Sequence, residues 1–121
     1  MSVKLNVISF VKVLLISGFM TQAVAEDSAL ISTGKQVYTN RCLHCHGETG
    51  QGDGSLVTAL KVKPADLSVL NQNSCVAKKV LTAVLGQHKT GDEEIKMPPL
   101  KEVLTLEKVH AVSAYIETLQ R

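Results

Sequence analysis

Residues 42 to 46 read Cys-Leu-His-Cys-His, and no other stretch of the chain limits its structure as much. Two thiols stand three positions apart, and an imidazole follows directly after the second. A chain so arranged has to organise its fold round whatever the two sulfurs and the ring nitrogen hold.

Four chemistries use such cysteines. A structural zinc site needs four ligands, usually two cysteine pairs or a cysteine pair with a histidine pair. The remaining thiol, Cys75, is alone, and the other histidines are unpaired. A thioredoxin-like redox pair belongs in a βαβ context, and no strand alternation is visible. A structural disulfide between Cys42 and Cys45 is open to an exported chain. It gives no role to His46 or to the distant Met97. The C-x-x-C-H order itself is the attachment signature of haem c, in which the thiols add across two vinyl groups and the histidine reaches the iron. Cys42 and Cys45 are read as the anchors, His46 as the proximal ligand and Met97, in Lys96-Met97-Pro98-Pro99, as the distal one.

The rivals to Met97 are histidines. His44 lies between the anchors and is read as non-ligating, and His110 falls on the polar side of a helix. His88, in the turn Gly86-Gln87-His88-Lys89, is the one that could replace sulfur in a bis-histidine site. Met1 and Met20 lie in or beside the leader described next, so Met97 has no methionine competitor.

Lys4 and Lys12, the apolar run Val13 to Met20, and Ala23-Val24-Ala25 form the pattern of an export signal cleaved after Ala25. Lys12 leaves the apolar run short of the ~20 residues that span a bilayer. Residues 1–25 are therefore expected to be a cleaved signal peptide, residues 26–121 one domain, and the location periplasmic. The chain's formal charge is +2, but the leader carries two of the 13 basic residues and none of the 11 acids. The remainder is neutral, and no basic patch with interleaved aromatics suggests nucleic acid. Aromatics make up 3 % of the chain, without tryptophan. Such a small domain has a thin core, which a large apolar cofactor would fill.

Three helices are expected and no strands. The first covers about Ser28 to Cys42, with Leu30, Ile31, Gly34, Val37, Tyr38 and Cys42 on one side and Thr33, Gln36, Thr39 and Asn40 on the other. Gly34 on the apolar stripe suggests close approach of a second helix. The next is expected from Ser74 as N-cap to Gly86, burying Val76, Ala77, Val80, Leu81 and Val84. The last begins near Thr105 and runs to the end of the chain, burying Val109, Val112, Tyr115, Ile116 and Leu119. Glycines 47, 50, 52 and 54 follow the attachment segment rather than a strand. They are read as tight backbone turns rather than a phosphate cradle. Pro64 stiffens a turn, and a carbonyl near it is a candidate partner for the second nitrogen of His46.

The pattern resembles the class I c-type cytochromes. The residues that carry it are Gly34 and Tyr38, Cys42-Leu43-His44-Cys45-His46-Gly47, Gly50-Gln51-Gly52-Asp53-Gly54, Lys96-Met97-Pro98-Pro99 and Ala114-Tyr115-Ile116. The resemblance implies an all-α cytochrome c fold, three to five helices round one covalently bound haem. It further implies that the first and last helices cross where Gly34 and Tyr38 meet Tyr115 and Leu119. His/Met ligation raises the haem potential and fills both axial positions with protein. That arrangement implies an electron carrier rather than an enzyme. The alternatives are a haem c subunit of a larger periplasmic oxidoreductase and an open-site sensor or peroxidase.

Cys75 departs from the pattern. Helical projection points it outward beside Lys78 and Lys79, as a candidate for a disulfide-linked dimer or partner; the alternative is a small buried filler residue. Lys61, Lys63, Lys89, Lys96 and Lys101 flank the expected haem edge, where positive charge would steer acidic redox partners.

Overall fold

The structure is a computed structural model, and it describes residues 20–72, 74–87 and 97–121. Most of the expected leader, and His88, Lys89 and Lys96, lie outside these residues. Among the described residues all regular elements are helical. No helix there is long and apolar enough to cross a membrane.

Helix α1 spans Met20–Arg41. It starts earlier than the expected Ser28, because no glycine or proline interrupts residues 20 to 33 and alanines, Glu26 and Leu30 favour the helix. The expected cleavage point after Ala25 therefore falls inside it. Its stripe is as anticipated: Val37 and Tyr38 are buried, Leu30 and Ile31 half-buried, and Thr33, Gln36, Thr39 and Asn40 exposed. Cys42 stays in the right-handed region, and its amide donates to the Tyr38 carbonyl at 2.8 Å. A single-turn helix α2, Leu43–His46, continues from there until Gly47, at φ 78°, stops it.

A further short helix, α3 (Val57–Leu60), and a 3₁₀ segment (Leu67–Gln72) bridge to α4, Val76–Val84. Neither connecting element was expected, since pieces this short carry no readable period. In α4 the spacing of Val76, Val80 and Val84 puts their branched side chains on one buried face. The N-cap is Cys75 and not Ser74. Cys75 has extended backbone angles, so helical geometry begins only at Val76, and no side chain caps it.

Helix α5 spans Leu106–Glu117 and is capped by Thr105, whose hydroxyl accepts from the Lys108 amide at 3.4 Å. It stops short of the expected end. Residues 118–121 turn back, with the Arg121 amide donating to the Ser68 carbonyl at 2.9 Å.

Packing is most extensive between α1 and α5, then between α4 and α5. At the first crossing a Cβ on Gly34 would overlap the Ala111 carbonyl, so only glycine lets the two backbones meet this closely. The rings of Tyr38 and Tyr115 pack beside it with centroids 5.2 Å apart. Leu119 packs against the same core and also reaches towards Gly50, where its Cδ1 would stand 3.4 Å from a Cβ on that glycine. Val37, Tyr38, Val80, Val84, Val112 and Ile116 anchor the core.

Candidate metal centre

Helix α2 brings Cys42, Cys45 and His46 onto one turn. The amides of Cys45 and His46 both donate to the Cys42 carbonyl, at 3.2 and 2.8 Å. Behind this turn the buried Tyr38 hydroxyl donates to the Gly47 carbonyl at 2.7 Å. Burial drives the Tyr38 phenol well above its ordinary range, so it remains a donor.

The glycine loop folds back along the same turn. Amides of Gly52, Gly54 and Leu56 donate to the carbonyls of His46, Cys45 and His44 at 2.9, 3.1 and 2.9 Å. A side chain on Gly54 would collide with the backbone of His44 and Cys45. The loop turns tightly, with positive φ at Gly47, Gly50 and Gly52 as expected, and its amides also brace the attachment segment, which was not anticipated.

His46 is buried, 8 % exposed. Its Nδ1 lies 3.1 Å from the Ala65 carbonyl oxygen. A carbonyl only accepts, so Nδ1 carries the proton and donates. The Nε2 lone pair is then left for a metal. Burial pushes the His46 pKa down, with the Ala65 carbonyl opposing in part, and this keeps the ring in the neutral form that ligates. The acceptor is the residue after Pro64, where a carbonyl was anticipated. Its exact position was not readable in the sequence, because every residue offers the same acceptor.

The sulfurs of Cys42, Cys45 and Cys75 are free. Burial, with Cys45 second, pushes the Cys42 thiol up to about 11. Among the described residues no group of three or more His, Cys, Asp or Glu side chains could hold a metal ion.

Met97 is half-buried. The segment it opens is pinned to the end of α4 by the Leu100 amide, which donates to the Val84 carbonyl at 2.8 Å. Pro99 packs near Gly86 there, its Cβ 3.0 Å from where a glycine Cβ would stand. His44 is exposed, its Nδ1 3.4 Å from the Ser55 hydroxyl, and His110 is exposed. Cys75 is exposed, as are Lys61, Lys63 and Lys101.

Sequence reasoning missed one group beside this site. The Asp66 carboxylate, the buried Ser68 and the Arg121 guanidinium form a connected cluster directly after Ala65. The serine and the arginine lie 53 positions apart, so no local pattern could reveal the pairing.

No match was found among curated proteins or among solved structures. A family model described as Cytochrome c matches residues 31–120, from the middle of α1 to the end of the fold. The helical architecture, the thiol and imidazole turn and this match agree: the chain belongs to the cytochrome c family, a family of haem-based electron-transfer proteins.

Proposed function

We propose that this protein is an exported monohaem c-type cytochrome that carries single electrons between redox partners in a respiratory or related periplasmic chain. In this reading Cys42 and Cys45 would hold haem c through two thioethers, and His46 and Met97 would ligate its iron. The observation that carries it is the hydrogen bond from His46 Nδ1 to the Ala65 carbonyl. It aims a neutral, buried imidazole while leaving Nε2 free, on the same turn as the two thiols. Outer partners of this kind fix the tautomer and orientation of ligating histidines.

The residues present fit the cofactor in a second respect. Leu56 and Leu60 are 42 % and 43 % exposed, on the segment that the Leu56 amide ties to the His44 carbonyl. Apolar surface beside the anchors is what an apolar macrocycle covers.

Bound haem supplies a one-electron ferric/ferrous couple. The protein's part is to hold that couple in one geometry. His46 donates its Nδ1–H to the Ala65 carbonyl, the Tyr38 hydroxyl secures the Gly47 turn behind it, and the loop amides brace the segment. Met97 sulfur in the remaining axial position would deny oxygen and peroxide a place to bind, which favours a carrier over an enzyme. Exposed Lys61, Lys63 and Lys101 suit acidic partners. The exposed Cys75 thiol suits a disulfide-linked dimer or partner, checked by the mobility of Cys75→Ser on a non-reducing gel.

The test is the absorption spectrum of the haem-matured protein, oxidised and reduced. A weak long-wavelength band of sulfur-to-ferric ligation, lost in Met97→Ala together with new carbon monoxide binding, supports the reading. Its absence from the unaltered protein would move the ligand role to His88 or leave an open site.

A further inference from the structure

We infer that Arg121, acting with Ser68 and Asp66, is a positioning residue for His46 that helps set the reduction potential of the site. This rests on the reading of His46 as a haem ligand. The Ala65 carbonyl that accepts the hydrogen bond from His46 Nδ1 belongs to a stretch without regular structure, residues 62–66, and Ala65 itself is exposed. Such a stretch needs fixing from outside if its carbonyl is to stay on the ring.

Two sets of contacts fix it. On the inner side the Leu67 amide donates to the Gly50 carbonyl at 2.6 Å. The Pro64 carbonyl lies so close to Gly52 that a Cβ there would stand 2.7 Å from it. On the outer side Asp66 Oδ1 accepts from the Ser68 amide at 2.8 Å and from its hydroxyl. Arg121 closes the arrangement: Nε donates to the Ser68 hydroxyl oxygen at 2.8 Å and Nη2 to Asp66 Oδ2 at 2.9 Å. The Gln120 side chain adds a bond to the Leu67 carbonyl at 2.7 Å. Ser68 is 1 % exposed, so its hydroxyl has these partners in place of water.

The chemistry gives the effect a sign. A hydrogen bond donated from Nδ1 makes the imidazole a more basic ligand, and a more basic ligand favours the ferric state. Loosening the clamp lets the Ala65 carbonyl drift and weakens that bond, so the potential rises. Loss of positive charge near the site would lower it instead. Arg121→Lys is therefore the informative variant, because it keeps the charge and loses the planar two-pronged geometry. Ser68→Ala removes the bridging hydroxyl without changing any charge.

The experiment is redox titration of the haem-loaded protein and both variants. It is paired with proton NMR of the reduced protein to follow exchange of the His46 Nδ1 proton. Thr105→Ala, which weakens a distant helix cap, serves as the stability control. The expected result is a raised potential and several-fold faster Nδ1 exchange in Arg121→Lys and Ser68→Ala, with wild-type values in Thr105→Ala. Wild-type potential and exchange in both clamp variants would overturn the inference while leaving the ligation intact. Haem bound without His46 in the unaltered protein would overturn both readings together.

Discussion

Replacing Gly34 by alanine adds one methyl group where α1 crosses α5. The new Cβ would overlap the Ala111 carbonyl and stand 2.9 Å from Cβ of Tyr115. Both obstacles belong to, or are fixed to, the α5 backbone, so neither can rotate away. Non-bonded carbons settle at about 3.5–4.0 Å, so the two helices must part by on the order of 1 Å. Overpacking of this kind costs about 1–3 kcal/mol. The Tyr38–Tyr115 ring pair, with centroids 5.2 Å apart, opens with it, at about 0.5–1.5 kcal/mol. Alanine's better helix propensity returns about 1 kcal/mol. The net loss is roughly 0.5–3.5 kcal/mol, which for a domain of this size lowers Tm by about 2–28 °C. Thermal unfolding of the haem-loaded protein by circular dichroism measures it. Gln36→Ala, on the exposed side of the same helix, should stay within about 0.5 kcal/mol of wild type. If Gly34→Ala melts at or above the wild-type temperature, close backbone contact is not what glycine provides here.

Tyr38→Phe keeps the ring and leaves the buried Gly47 carbonyl with only the long 3.4 Å bond from the Gly50 amide, and should cost about 1 kcal/mol in urea unfolding. Because burial raises the Tyr38 pKa, wild-type stability should fall as pH climbs above about 10, and this decline should be shallower in Tyr38→Phe. Asp66 is the opposite case. The hydroxyl and amide of Ser68, with Arg121, hold its carboxyl below the usual range. Its contribution is present above the unfolded value of about 3.9 and disappears as pH falls through the folded one. Asp66→Asn should therefore show a shallower acid-side loss of stability than wild type. Thr105→Ala removes a long cap bond of 3.4 Å and should cost about 0.5–1 kcal/mol.

Much of the molecule follows from sequence alone. The Cys42–His46 pentad carries its own chemistry at fixed spacing, and the buried sides of α1, α4 and α5 repeat with the helical period, as Val76, Val80 and Val84 show. Gly34 stood out because a glycine on an apolar stripe has few uses besides close approach. These are local properties, determined by residues within a few turns of one another. Tertiary structure decided the partners that are distant in sequence and have no distinctive type. Ala111 meets Gly34, and Ala65 rather than any other nearby residue accepts from His46, 19 positions away. Arg121 reaches back 55 positions to Asp66. A backbone carbonyl looks alike in every residue, and a surface arginine or serine looks like any other until the chain closes on itself. The sequence thus determined which side chains could ligate. The folding of residues 62–68 against the segment after α5 decided how His46 is held.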